Sequence, residues 1–289
     1  MIEDATIRDV ERVLGELRSA LVTDGEHFGL RTSVMTHMAW VPEPWVDAAM
    51  DTLGGLQERH PSRTIVVFPD PAAERDALDA DVDLRCFTTG GGGGSVCFEV
   101  IQLHLRGPRA SFPGSVVAPL LITDLPVFLR WRGELAFGAS ELDELLGLAD
   151  RLIVDCSEWS EPEVDLARLP ELFDRAAVSD IAWLRLDPWR LTLARLWPAI
   201  ARLERLRVVG PRAEALLLAG WLGGRLGRDV ELEHVEADEL DEVEVDDEPV
   251  QPVAAGPESS SDLLSAELDL FGRDPIYEEA VRSFSRVTT

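Results

Sequence analysis

Lysine is absent from this 289-residue sequence, and all 27 of its basic residues are arginine. A guanidinium keeps its proton at any physiological pH, so the chain cannot form a Schiff base with a carbonyl or with pyridoxal phosphate. The phosphate-loop pattern GxxxxGK[ST] and the strand lysine of protein kinases are excluded by the same absence. Asparagine is missing too, so a biased genome accounts for both gaps while the chemical exclusions stand. Cysteine is scarce: three residues, none in a CxxC pair, indicate neither a disulfide scaffold nor a zinc ribbon. Long apolar runs are lacking as well. The longest charge-free stretch, residues 110–123, contains Pro113, Gly114 and Pro119, and its length falls short of the roughly 20 apolar residues of a spanning helix. The first residues are acidic where a signal peptide needs a basic segment. The expectation is a reduced, cytoplasmic chain with no membrane partner.

Acidic residues, by contrast, are abundant, at 54 against 27 arginines for a net charge of −27. The excess is uneven, with −16 of it beyond residue 228. A surface of this sign repels phosphate backbones, which require clustered cations, so nucleic acid is not an expected partner. With 46% hydrophobic residues at this length, the chain can bury a sizeable core divided over two domains.

Hydrophobic periodicity predicts a helix over residues 6–21, a strand over 31–41, a helix over 44–59 and a strand over 64–68, the last three forming a βαβ unit. Strands over 81–88 and 96–106 form a hairpin around the glycines at 90–94. Further on, the pattern predicts helices over 114–122 and 140–149 and strands over 126–131 and 151–155. A connection near 157–162 separates a second unit. There helix is predicted over 166–175, strand over 181–186, helix over 188–196 capped by Asp187, strand over 206–209, helix over 212–226 and strand over 229–235. An acidic, proline-bearing stretch reads as a disordered linker to about residue 261, before short helices over 263–271 and 275–284. The fold class is therefore α/β, as two α/β domains with mixed sheets. The expected segments are an N-terminal helical region (1–30), a first domain (31–157), a second (158–235), and an acidic linker with a helical tail (236–289).

No catalytic set stands out. The glycine run precedes a strand, and Ser95 stands where a dinucleotide fingerprint needs glycine. The five histidines are isolated, so no metal and no cofactor are expected. No GxSxG elbow is present, and acid pairs such as Asp143 with Glu144 or Glu278 with Glu279 read as solvated helix faces. Two arginine-bearing motifs remain: HPSR, with His60 and Arg63, and WLRLDPWR, with Trp183, Arg185, Trp189 and Arg190. They read either as a helix stop, a cap and core tryptophans, or as an anion-binding or protein-contact surface that Arg31 joins. Cys86 and Cys97 lie equally far from the centre of the hairpin. That spacing permits a disulfide, and with it a redox switch, and equally two small apolar side chains.

At these motifs the sequence resembles the glucose-6-phosphate dehydrogenase assembly proteins, also called OpcA. The resemblance runs in order through RTSVMTHMAWV, HPSR and TIVVF, then VVAPLLITDLPVFLRWRG, ADRLIVD, IAWLRLDPWR, ALLLAGWLGGRLG and RDPIYEEAV. The acidic stretch and the five-glycine tip depart from the family's usual pattern. The resemblance implies a non-catalytic protein that binds glucose-6-phosphate dehydrogenase and promotes its active oligomer or conformation, acting as an allosteric activator in the oxidative pentose phosphate pathway. On that reading the tail docks into a partner groove through Leu264, Leu268, Phe271, Ile276, Tyr277 and Val281. The alternative is a sugar-phosphate sensor or enzyme of the same pathway, with Arg31, Arg63, Arg185 and Arg190 gripping phosphate.

Overall fold

The computed structural model describes residues 1–23, 33–56, 59–88, 95–253, 259–284 and 287–288. Arg31 and the glycine tip at 90–94 lie outside the described residues. The chain divides into two compact units, Met1–Leu152 and Ile153–Thr289, and its class is α/β.

In the first unit, helix α1 (Ile7–Thr23) starts at a reciprocal cap. The Thr6 hydroxyl and amide donate to the Asp9 carboxylate, while the Asp9 amide donates back to Thr6 Oγ1. Val10 and Leu14 on its inner face are fully buried. Strand β1 (Met35–Trp40) is buried throughout and runs into α2 (Val46–Leu56) and then β2 (Ser62–Asp70), which lies parallel to β1. This is the expected βαβ unit. Strands β3 (Ala77–Thr88) and β4 (Ser95–Arg106) pair antiparallel, and β4 pairs parallel with β2. The helical segment predicted over 114–122 is a short α3 (Gly114–Val117) followed by a 3-10 turn at Ala118–Leu120. Strand β5 (Val127–Trp131) lies parallel to β1 on its other side, α4 (Ser140–Leu146) follows, and β6 (Arg151–Val154) leads out of the unit.

In the second unit, α5 (Pro162–Arg168) ends sooner than the periodicity predicts and continues only as a 3-10 turn, Leu169–Leu172. Strand β7 is Ala177–Asp180, and the expected strand over 181–186 is instead helix α6 (Ile181–Arg185). The reason is Asp180, whose Oδ1 accepts from the Ala182 amide at 2.9 Å and starts the helix at Ile181. Asp187 is accordingly no cap but the first residue of α7 (Asp187–Arg195). Strand β8 (Arg205–Gly210), the largely buried α8 (Arg212–Leu226) and β9 (Val230–Glu236) form a parallel βαβ.

The acidic stretch is not a disordered linker as far as residue 253. It forms β10 (Glu242–Val245) and β11 (Glu248–Val250), giving a sheet in the order β11-β10-β8-β9-β12, where β12 is Val287–Thr288. Asp246 and Asp247, with φ of 50° and 69°, supply the two left-handed residues of a tight hairpin turn. Arg207 offsets the acidic charge by lying within 3.4 Å of Glu233, Glu242 and Glu244. Helices α9 (Ser260–Leu268) and α10 (Pro275–Arg282) complete the unit. Among the described residues no helix is long and apolar enough to cross a membrane.

Candidate functional site

The two arginine motifs sit in different settings. In HPSR, Arg63 lies on β2 directly opposite Glu99 of β4. Its Nε donates to Glu99 Oε2 at 2.7 Å and one terminal nitrogen donates to the Leu120 carbonyl at 2.5 Å. The second oxygen of Glu99 accepts from Arg18 Nε at 2.8 Å. Both Arg63 and Glu99 are buried, so this guanidinium already holds a carboxylate and is closed to a phosphate. His60 is buried and lines a small cavity with Ser62 and Thr64. Nearby, His37 is completely buried with neither ring nitrogen hydrogen-bonded, and burial, reinforced by His60 and Arg130, pushes it down to about 3. It is neutral at physiological pH.

The second motif belongs to a polar centre built from strand ends. Strands β6 and β7 both run into aspartates, Asp155 and Asp180, each of which turns the chain by accepting from an amide two residues on. Arg185, in the last turn of α6, reaches Asp155 with both terminal nitrogens at 2.8 and 3.0 Å. The same side chain reaches Glu214 with Nε at 2.6 Å and the Ser157 hydroxyl at 2.7 Å. Burial opposes its charge, but Asp155 and Glu214 outweigh that and hold it firmly protonated. Asp180 is fully buried and accepts from the amides of Cys156 and Ala182 and from the Tyr277 hydroxyl at 3.1 Å. Burial, then the charge of Asp155, pushes Asp180 up to about 6. The buried Cys156 thiol and the Tyr277 phenol are pushed up by burial and by Asp180, so neither ionises near neutrality.

Beside this centre, Trp183 donates its ring N–H to Asp274 at 2.9 Å, and Asp274 also caps α10. The Arg190 guanidinium stacks 3.5 Å from the centre of the Trp183 ring and pairs with Asp187. Burial pulls Arg190 down to about 10, still charged at pH 7. Trp189 and Arg185 line a cleft of about 610 Å³ together with Ser157, Glu214, Glu236, Asp238 and Glu239. Its lining carries four carboxylates against one arginine, a balance that suits a cationic or neutral contact and repels a sugar phosphate. Among the described residues no group of three or more His, Cys, Asp or Glu side chains is arranged to hold a metal ion.

Asp155, Asp180, Glu214 and Glu99 are the members the sequence reading missed. The repeated ending of RLIVD and AVSD, a short apolar strand closed by aspartate, was the available signal for two of them. The tail anchors are divided. Leu264, Leu268, Tyr277 and Val281 are buried within the second unit's own core, whereas Phe271 and Ile276 are 63% and 39% exposed. Cys86 and Cys97 face each other across β3 and β4 and are joined by a disulfide. Alkylation followed by peptide mapping is expected to return Cys86 linked to Cys97 and Cys156 unmodified until the chain is denatured; separate, alkylated Cys86 and Cys97 would contradict the pairing.

Asp180 has a consequence for stability. An acid whose folded value is raised from 3.8 to about 6 binds more protons when folded across that interval, so folding gains as pH falls through it and the penalty is complete above it. The full span corresponds to about 3 kcal/mol. Asp180→Asn keeps an oxygen for the two amides and an N–H₂ for Tyr277. The variant is expected to match or exceed the parent's stability at pH 7.5 and to lose this part of the gain between pH 7 and 4.5. Denaturant midpoints across that range check it, and parallel profiles for parent and variant would contradict it.

Residues 54–171 match the family described as glucose-6-phosphate dehydrogenase subunit N-terminal domain, and residues 176–281 match its C-terminal domain. The chain is 31% identical over 179 residues, 58% of its length, to the putative OxPP cycle protein OpcA of Nostoc punctiforme. It is 30% identical over 141 residues, 45% of its length, to the protein of that name from Synechocystis, and 29% identical over 185 residues, 60% of its length, to that of Synechococcus elongatus. These alignments span 38%, 30% and 41% of the respective relatives. Two consecutive domain matches, covering most of the sequence in the family's order, establish that the chain belongs to the OpcA family of glucose-6-phosphate dehydrogenase assembly proteins.

Proposed function

We propose that this chain is a non-catalytic assembly factor that binds glucose-6-phosphate dehydrogenase in the cytoplasm and favours its active oligomer or conformation. The observation that carries the reading is the succession of both dehydrogenase-subunit domains along one chain. The arrangement of the arginines supports it. Arg63 is held by Glu99, Arg185 by Asp155 and Glu214, and Arg190 by Asp187 and the Trp183 ring. A sugar-phosphate sensor needs these same groups unoccupied in a cationic cleft, and in the cleft beside Arg185 four carboxylates face that one arginine.

An activator of this kind works by binding one state of its partner better than another, each tenfold of preference supplying about 1.4 kcal/mol toward that state. Co-elution of the purified chain with the dehydrogenase tests the association directly. Calorimetry with glucose 6-phosphate and 6-phosphogluconolactone on the chain alone is expected to be silent. Micromolar binding of either would replace this reading with the sensor.

A further inference from the structure

The cleft of about 610 Å³ beside Arg185 has a buried carboxylate that its own cation satisfies only in part. Glu214, in the first turn of α8, is 4% exposed at its side chain and borders the cleft. Its Oε1 accepts from Arg185 Nε, and Arg185 spends its remaining nitrogens on Asp155 and Ser157. Glu214 Oε2 has no hydrogen-bond partner among the described residues and is open to a donor entering the cleft. Burial outweighs Arg185 and pushes this carboxyl up from its ordinary value. The mouth of the cleft is a loop fixed in place. It joins β9 to β10, with the Ala237 amide donating to the Gly210 carbonyl at 3.3 Å and the Asp241 amide to the Val209 carbonyl at 2.9 Å. Glycine at 210 permits the approach, because a Cβ there would lie 2.8 Å from Leu240 Cδ1 and 2.9 Å from its Cα. The loop holds Asp238 and Glu239 exposed at the mouth, and neither has a hydrogen-bond or ion-pair partner among the described residues. Trp189 and Leu263, each 7% exposed, give the cleft an apolar wall.

Charge, shape and wall together choose the occupant. The volume falls within the roughly 300 to 1,000 Å³ of pockets that enclose a ligand or a few side chains. An anion would face four carboxylates, and the lining offers no cluster arranged to hold a metal ion. A compact ammonium would meet the charge and leave the indole and leucine wall wet. A guanidinium meets both, since it presents planar N–H donors to a carboxylate and an apolar face and stem to an aromatic wall. We infer that this cleft receives an arginine side chain carried on a segment of a partner protein. The guanidinium donates to Glu214 Oε2, the stem lies along Trp189 and Leu263, and Asp238 and Glu239 close over the charge at the mouth. The inference goes beyond the proposed function: it assigns a site and the chemistry of its occupant, and it holds whichever protein carries that arginine.

The test is an amide-resolved NMR titration of the full-length chain with a blocked peptide, Gly-Ala-Arg-Ala-Gly, and with the same peptide carrying lysine or citrulline at its centre. Citrulline keeps the shape of arginine and removes the charge. The arginine peptide is expected to shift the amides of Glu214 and of residues 237–240 and the indole of Trp189. It is expected to bind at least tenfold tighter than the citrulline peptide and at least threefold tighter than the lysine peptide. Glu214 is left in place because it also holds Arg185, and the mouth is altered instead, where both side chains are exposed. Asp238→Asn/Glu239→Gln is expected to weaken the arginine peptide at least fivefold. Asp70→Asn/Glu74→Gln removes the same charge from exposed positions of the first unit and is expected to stay within twofold of the parent. Equal binding of the arginine and citrulline peptides, equal loss in the two double variants, or no shift with the arginine peptide at millimolar concentration overturns the inference. Spermidine shifting the same amides at a lower concentration than the peptide assigns the cleft to a free polyamine and overturns it as well. Each of these outcomes leaves the proposed function to its own test.

Discussion

Arg185→Met is expected to destabilise the second unit by about 3 to 5 kcal/mol, because the change removes the cation from among buried carboxylates while leaving them in place. Asp155 is 9% exposed at its side chain and Glu214 4%, and the charge of Asp155 already bears on Asp180. Without Arg185, Asp155 and Glu214 lose the guanidinium that both of them hold. The loss is expected to shrink as pH falls, since protonation then relieves the repulsion that the arginine relieved before. Neutralising the partners in the same chain, with Asp155→Asn and Glu214→Gln, is expected to restore most of the stability, since a polar centre emptied of charge as a set leaves nothing uncompensated. A chain with two compact units need not unfold in one step, so the measurement is amide exchange of α6 and α10 under mildly denaturing conditions. Protection within about 1 kcal/mol of the parent in Arg185→Met would show that the fork to Asp155 and Glu214 contributes little.

Glu99→Ala is the counterpart in the first unit, with a similar expected loss of about 3 to 5 kcal/mol. Its carboxylate is the common acceptor for Arg63 and Arg18, and Arg63 is only 6% exposed at its side chain. Deleting it leaves a buried guanidinium with the Leu120 carbonyl and a more distant Glu11 at 3.7 Å. Glu99→Gln, which keeps one oxygen, is expected to lose less. Amide exchange along β2 and β4 reads the effect, and equal protection in the alanine variant and the parent would contradict it.

These two centres also mark what could be read from residues alone. The βαβ of β1, α2 and β2 was legible because a run of apolar residues from 64 to 68 and a helical period before it admit little else. The β3–β4 register followed from symmetry about the glycines, which places Cys86 opposite Cys97. Three features were not legible. The run IAWLRL is apolar except for Arg185, which suits a short buried strand, and what makes it a helix is the local cap of Asp180 on the Ala182 amide, which the apolar pattern does not register. The acidic stretch carries the composition of a disordered segment, yet Arg205 and Arg207 on β8 pair with Asp247, Glu242 and Glu244 of it from across the sheet. Composition read locally cannot register partners supplied by a strand more than thirty residues earlier. Asp246-Asp247 between EVEV and EPV was a two-residue turn signal that could have been taken. Finally, the arginine motifs stand out in the sequence, but their occupancy was invisible because Glu99, Glu214 and Asp155 are distant in sequence. An arginine motif names a charge, and only the fold says what already holds it.

Phe271 and Ile276 complete the picture of a chain whose tail serves its own core first. With Leu264, Leu268, Tyr277 and Val281 buried at home, removal of the tail costs the second unit its packing as well as any contact beyond it. Point variants at exposed positions are therefore the sound probes of partner binding, and truncation is not.

The measurement that bears most directly on the whole account is the rate of purified glucose-6-phosphate dehydrogenase against glucose 6-phosphate, with and without this chain at saturating amounts, alongside the chain alone. The account predicts a changed dehydrogenase, in kcat/KM or in oligomeric state, and no turnover by the chain itself. A dehydrogenase with the same kinetics and the same assembly in both conditions would contradict it, as would turnover of the sugar phosphate by this chain unaided.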